Sequence, residues 1–341
     1  MDQRTSLKQA ILSLPSPAVD FESLALRVFR YQALHNPVYR DYIRYLRRNP
    51  AEVNRLEEIP FLPIEFFKQH RVVTASPDIQ VAFESSGTTG QTPSRHFVSD
   101  TSLYQQVSTT IFSQYYGSPA DYHILALLPS YLERKNASLV YMAQHFIGLG
   151  NARFSGFFLH HTEALLHTLK RLSEADRAVQ RKVLLIGVTF ALLDLAESGY
   201  DWTFLRNIPQ LVVMETGGMK GRREELLREE VHQILTRAFG VEKIHSEYGM
   251  TELLSQAYSP GEGVFRQPPT MRILLRDLND PFSIGFRRRS GGINVVDLAN
   301  IDSCCFIETK DIGSFTGTEG EFRVLGRFDN SDIRGCNLML D

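Results

Sequence analysis

Val81-Ala82-Phe83-Glu84-Ser85-Ser86-Gly87-Thr88-Thr89-Gly90-Gln91-Thr92-Pro93-Ser94-Arg95-His96 is the stretch on which the reading of this chain turns. A short β-prone run, Val81 to Glu84, feeds a turn built of hydroxyls and glycines, and a polar segment leads away from it. Glycine lacks a Cβ, so the backbone here is free to adopt positive φ and to approach a ligand closely. The hydroxyls of Ser85, Ser86, Thr88 and Thr89, with amides freed by Gly87 and Gly90, suit the oxygens of a phosphate chain. The loop has neither the Gly-Lys-Ser/Thr ending of a nucleotide-kinase loop nor the Gly-x-Gly-x-x-Gly of a dinucleotide turn. The same composition also describes a solvated turn. On its own the loop leaves both readings open. His96, just beyond it, is a candidate active-site residue whose role stays open.

Upstream, residues 1–80 read as a helical lead. Asp20 suits a cap for a helix whose apolar positions Phe21, Leu24, Val28 and Leu34 repeat at helical spacing and which ends at Asn36-Pro37. Tyr39, Tyr42, Ile43 and Leu46 form a second stripe, closed by Asn49-Pro50. Two prolines in Ile59-Pro60-Phe61-Leu62-Pro63-Ile64 exclude a continuous helix, so this segment walks the chain across the core.

Downstream, β-prone runs alternate with helices. His123–Leu128, Val183–Val188, Leu211–Glu215 and Val241–His245 read as strands, with helices at Phe190–Glu197 and Gly221–Phe239. Leu227, Val231, Ile234, Leu235 and Ala238 mark the apolar face of the second helix, and Gly240 its stop. Apolar strands separated by helices predict an α/β fold with a mainly parallel sheet. Beyond Met271 the runs Met271–Leu275, Ile293–Leu298, Cys305–Glu308 and Glu321–Leu325 have few helical signals between them, which predicts a smaller, mostly antiparallel β layer.

Ligands collect where parallel strands end. One helix separates Leu211–Glu215 from Val241–His245, so a single crossover sets Thr216-Gly217-Gly218-Met219 beside Ser246-Glu247-Tyr248-Gly249-Met250-Thr251-Glu252. The expected result is a flat slot, with a backbone wall at Gly217 and Gly218 and the Tyr248 ring as a stacking face. Glu252 is placed as a hard oxygen ligand for Mg²⁺ near the phosphates. Asp311, at the end of a β run, has the acceptors to take both hydroxyls of a ribose. A strand-end turn with a core tyrosine and a surface glutamate is the plainer alternative.

The totals exclude several classes. The 341 residues are 43% apolar with a formal charge of −2. That supports a large buried core and gives no electrostatic reason to invoke nucleic acid. No apolar run approaches the roughly 20 residues that span a bilayer, and Met1–Lys8 is not a signal peptide. Three cysteines, Cys304 and Cys305 adjacent, make neither a disulfide framework nor a metal-spaced pair. A cytoplasmic setting is the simplest expectation. His160, Glu163 and His167 fall at helical spacing but read as a solvated face. No Gly-x-Ser-x-Gly elbow is present.

Taken together and in order, these motifs resemble those of the adenylate-forming enzymes, the superfamily of acyl-CoA synthetases, luciferases and peptide-synthetase adenylation domains. Ser85–Gly90 is similar to their phosphate loop and Tyr248-Gly249-Met250-Thr251-Glu252 to their second signature. Glu308-Thr309-Lys310-Asp311-Ile312-Gly313 and Leu325-Gly326-Arg327-Phe328-Asp329 follow as two further matches, with Lys310 standing where a glycine is usual. The resemblance implies that Tyr248 packs on adenine beside Gly217, Gly218, Met219 and Gly249. It also implies that Thr251 contacts phosphate, Glu252 binds magnesium, Asp311 holds the ribose and Arg327 reaches the nucleotide. The implied fold is the large N-terminal-type domain of that superfamily, its catalytic core over residues 81–326.

The closest resemblance is to the LuxE-type acyl-protein synthetases. Those proteins stop before the mobile domain and catalytic lysine of their larger relatives, as residues 327–341 are expected to do here. They carry an acyl-accepting cysteine just before the C-terminus, where Cys336 stands. The resemblance implies ATP and Mg²⁺ as cofactors, a carboxylic acid, above all a fatty acid, as substrate, and an acyl reductase or carrier as partner. A compact CoA ligase of the phenylacetate type and a nucleotide-binding remnant without turnover are the alternatives.

Overall fold

The computed structural model describes residues 2–14, 16, 19–75, 78–85, 92–129, 136–150, 153–174, 181–217, 226–286 and 288–328. Helix starts follow directly from capping residues. Asp2, Asp20, Asn36 and Asp100 each accept a hydrogen bond from a backbone N–H one turn on, at Thr5, Ser23, Tyr39 and Leu103. Each cap is worth about 1 kcal/mol. Asn36 ends helix Phe21–His35 and starts helix Pro37–Tyr45, with Pro37 in the first turn, where a missing N–H is harmless. Phe21, Leu24 and Val28 face inward as the period predicts, but Leu34 is 62% exposed. Six residues beyond Val28 lies roughly 120° off the buried face.

Strands Tyr122–Leu127, Lys182–Val188, Leu211–Thr216 and His245–Tyr248 lie parallel and side by side in that order. Val183 to Val188 is buried throughout, as a strand covered on both faces must be. His245–Tyr248 then pairs antiparallel with Ala257–Ser259 on its other side. From there the hydrogen-bonded path continues through Phe265–Arg266, Glu321–Arg327, Phe306–Phe315, Ser290–Asp297, Met271–Arg276 and Ile284–Gly285. The antiparallel strands expected after Met271 are therefore present, and they extend the parallel strands edge to edge.

The proline-rich lead joins this sheet. Leu62–Pro63 forms a short parallel strand against Phe306–Phe315, with Leu62 opposite Ile307. Phe306 meets Phe29 and Phe61 edge-on and stacks on Tyr39, with centroids 5.8, 6.3 and 6.1 Å away. Buried Gln32 reinforces the junction. Its Nε2 donates to the carbonyls of Asn300, Ile301 and Ser303, and its Oε1 accepts from Cys305 N–H.

Several boundaries differ from the sequence reading: strand Ser290–Asp297 starts three residues before Ile293, and strand Phe306–Phe315 runs seven residues past Glu308. Helix Arg228–Phe239 starts after Leu227, whose side chain is 65% exposed, and residues 218–225 lie outside the described set. Gly240 ends that helix with φ +64°, the left-handed conformation glycine adopts without penalty. The following strand starts at His245, not Val241, because exposed Glu242 and Lys243 interrupt the apolar run. No described helix is long and apolar enough to cross a membrane.

Candidate active site

The late start of that strand draws Ser246, Glu247 and Tyr248 into the ladder, with side chains on alternate faces. Tyr248 ends the strand on one face. Its ring meets Phe265 and Phe322 edge-on, with centroids 5.9 and 5.8 Å away, and is largely buried. Its hydroxyl donates to Asp311 Oδ2 at 2.8 Å. Burial and the Asp311 charge hold the phenol well above its ordinary pKa, so it remains a donor. Asp311 itself is raised by burial, against the opposing pull of Tyr248 and of Arg327, Arg276 and Arg228. Arg327 lies directly across the ladder from Asp311 and is exposed. A base-stacking face at Tyr248 is thus narrower than a free ring would offer.

Glu252 follows in the turn after the strand and is 4% exposed. Burial raises its pKa, the Ser94 hydroxyl and Arg327 oppose that, and Asp311 adds to it. Ser94 links this carboxylate to the opening stretch. Its N–H donates to Ser85 Oγ at 2.9 Å and its carbonyl accepts from Ser85 N–H at 3.1 Å. The hairpin Val81–Glu84 with Arg95–Val98 therefore delivers the base of the glycine loop to the signature turn. Ser86, Gly87, Thr88, Thr89 and Gly90 lie outside the described residues, as do Gly218, Met219 and Cys336.

The turn itself is held from below. His96 Nδ1 is 2.9 Å from the Thr251 carbonyl oxygen, and Asn300 Nδ2 donates to the Glu252 carbonyl at 2.7 Å. Burial lowers His96 to about 4, so the ring is neutral near pH 7. Asp297 accepts from Leu254 N–H, Ser255 N–H and Ala299 N–H at 2.8, 2.9 and 3.1 Å. Gly217, with φ +74°, turns the chain at the end of the neighbouring strand, and its carbonyl accepts from Thr189 Oγ1. Thr216 is opposite Glu247 in the ladder, so Gly217 and Tyr248 sit at adjacent strand ends.

Two buried carboxylates escaped the sequence reading. Glu215 accepts from Thr189 Oγ1 at 2.9 Å and from Arg228 Nε at 3.2 Å. Burial pushes its pKa up, but His232, Arg228 and Ser246 together hold it below the ordinary value. Glu247 has the Thr216 hydroxyl as its donor, and burial pushes it up to about 7. A Cβ on Gly249 would collide with the Glu247 carboxylate, so a side chain there would force that carboxylate to shift. For Glu215 the available signal was a charge next to the end of an otherwise apolar run, whereas Glu247 lies among the polar residues His245 and Ser246 and carried no such signal.

Other candidates stay outside. Helix Thr162–Ser173 begins after His161, so His160 is not on it, while Glu163 and His167 are exposed. No cluster of three or more metal-ligating side chains occurs among the described residues. Cys304 and Cys305 are buried in the core. A cleft of about 650 Å³ between Phe21, Gln114, Gln267 and Arg272 contains none of the expected residues. Arg272 is spent there on the Phe21 ring and on the carbonyls of Pro268 and Met271.

Comparison with solved structures defines the fold. An ATP-bound RpMatB-BxBclM chimera superposes with a TM-score of 0.54 at 16% identity, covering 74% of this chain and 49% of that one. Apo MatB from Rhodopseudomonas palustris gives 0.50 at 18%, covering 73% and 48%. AtGH3.15 acyl acid amido synthetase, in complex with 2,4-DB, gives 0.57 at 12%, covering 98% and 73%. The fold is that of the adenylate-forming enzymes, and the chain spans about half the length of the first two of these structures. The family model for acyl-protein synthetase, LuxE, matches residues 18–341, and the chain belongs to that family. Against curated protein sequences it has no significant match.

Proposed function

We propose that this protein activates a carboxylic acid, specifically a fatty acid, as its acyl-adenylate and passes the acyl group to the thiol of Cys336. A carboxylate is a poor acyl donor because its leaving group would be oxide. Attack of a carboxylate oxygen on the α-phosphorus of ATP forms the acyl-adenylate as the bond to pyrophosphate breaks. The Cys336 thiolate then attacks the carbonyl carbon, AMP leaves, and a thioester remains. The thiol proton passes to solvent.

The observation that carries this reading is the convergence of Tyr248, Asp311, Arg327, Glu252 and the Ser85–Ser94 pair at one end of the parallel strands. Asp311 Oδ2 is taken by Tyr248, which leaves Oδ1 for ribose hydroxyls. Arg327 and the Thr251 hydroxyl serve the phosphates, along with the amides of the Ser86–Gly90 loop. Gly217, Gly218 and Met219 form the adenine side. A divalent cation fits the donor set, because Glu252 is a buried carboxylate with another, Asp311, acting on it electrostatically. Mg²⁺ characteristically takes one or two protein carboxylates and completes its shell with phosphate and water oxygens. Bound there by Glu252, it would supply charge neutralisation on the phosphate oxygens. The family also supports an acyl reductase or carrier as the protein that receives the acyl group.

Pyrophosphate exchange into ATP, screened across carboxylic acids of graded length, tests the reading. Exchange dependent on a long-chain acid is expected. Cys336→Ser should retain exchange and lose covalent acyl-protein. Acyl label on CoA and none on protein would instead identify a CoA ligase, and exchange with no acid at all would refute acid activation.

A further inference from the structure

His96 Nε2 and Asn300 Oδ1 are both fully buried and have no hydrogen-bond partner among the described residues. Their other polar atoms are committed to consecutive carbonyls of the signature turn, Thr251 and Glu252. These commitments fix what remains. A carbonyl only accepts, so His96 Nδ1 carries the ring proton, and in the neutral ring Nε2 is a bare acceptor. Asn300 must point its amide nitrogen at the Glu252 carbonyl, because flipping it would set oxygen against oxygen. Asn300 Oδ1 is therefore also an acceptor, and its backbone carbonyl is held by Gln32.

Both residues line the same small cavity, with Ser99, Leu254, Ala299 and Ser303 among its walls and a volume of about 10 Å³. That is the space one water molecule needs. Two unmet acceptors on such a cavity call for a ligand with two donors. The hydroxyls and carboxylates there are already engaged: Ser99 Oγ donates to Asp302, which Arg4 grips at 2.6 Å through both carboxylate oxygens, Ser303 Oγ donates to the Val72 carbonyl, and Asp100 accepts from Lys8, Ser102 Oγ and Leu103 N–H. Leaving buried acceptors unmet costs about 1–3 kcal/mol each.

We propose that a single buried water donates to His96 Nε2 and Asn300 Oδ1, closing a brace under Thr251-Glu252, and that His96 is a positioning residue and not an acid or base. The brace runs from strand Arg95–Val98, through the water, to the 298–300 turn. It fixes two successive carbonyls, and with them the direction in which the Thr251 and Glu252 side chains leave the turn. The consequence for turnover rests on the adenylation reading above, whereas the water site does not.

A crystal structure of the intact protein at about 2 Å or better is expected to show a water peak within hydrogen-bond reach of both atoms. An empty cavity, or a ring turned to aim Nε2 at the Thr251 carbonyl, would overturn the site. Amide exchange across residues 251–254 reads the positioning separately. His96→Asn keeps a donor at the Nδ1 position and should retain most of the protection. His96→Leu should speed exchange about 3–10-fold, the worth of one hydrogen bond. If acid-dependent exchange of pyrophosphate is found, His96→Asn should keep most of it and His96→Leu should not. Equal losses in the two variants, in either readout, would refute the positioning role. Absence of pyrophosphate exchange in the wild type would sink adenylation while the water peak and amide exchange still decide this brace.

Discussion

At the scale of single residues, the Tyr248–Asp311 hydrogen bond is the most informative contact. It joins the signature motif to a strand more than sixty residues away, and it aims the carboxylate assigned to the ribose. Tyr248→Phe removes a donor to a charged group, a bond worth about 1.5–3 kcal/mol. If that energy is expressed in nucleotide binding, the KM for ATP rises about 10–100-fold with the fold retained. An unchanged KM would detach Asp311 from the nucleotide. Glu247 is instead a stability residue. Its pKa is raised by burial from the ordinary carboxylate value to about 7. Between those two values the folded protein holds a proton that the unfolded chain has lost, so stability falls as pH rises through that window. A shift of this size amounts to about 3 kcal/mol. Glu247→Gln should flatten the decline and raise the melting temperature more at pH 8 than at pH 5. Equal shifts at both values would contradict it.

At the scale of elements, strand Phe306–Phe315 carries Asp311 and pairs with the strand that carries Arg327. Gly313 lies where a Cβ would meet the Arg323 carbonyl oxygen and Ile293 Cδ1, each at 2.7 Å. Gly313→Ala should therefore cost about 1–3 kcal/mol as an overpacked core position, measured by urea unfolding, and an unchanged midpoint would show that the strand accommodates the methyl. Element identity was largely legible in the sequence because apolar runs, caps and glycine stops are local signals. Asp20 and Gly240 spoke for themselves, and the runs read at 123–128, 183–188 and 211–215 fall within a residue of the strands that form. Leu34, Leu227 and the start of strand His245–Tyr248 did not. In the first two an apolar residue sits beside the buried stripe, and in the third polar residues delay the ladder. Ser94, Asn300 and Gln32 were illegible because polar residues that hold a site by hydrogen bonds leave no periodic trace.

At the scale of the molecule, the candidate site lies where the sheet changes character. Strand His245–Tyr248 is parallel to its neighbour on one side and antiparallel on the other. Loops leaving the parallel strands thus meet side chains borne by the antiparallel ones, and Tyr248, Asp311 and Arg327 come from both. The helical lead braces this junction through Gln32 and through Leu62 opposite Ile307. Such pairings join residues more than two hundred positions apart, which no local pattern encodes.

Everything rests on one triphosphate lying between the Ser85 end of the glycine loop and the turn at Thr251-Glu252. A crystal structure with ATP and Mg²⁺ tests this most directly. Phosphates are expected between those two segments, with the metal on Glu252 and the ribose on Asp311. Nucleotide bound anywhere else, with Glu252 and Asp311 making no contact to it, would contradict it.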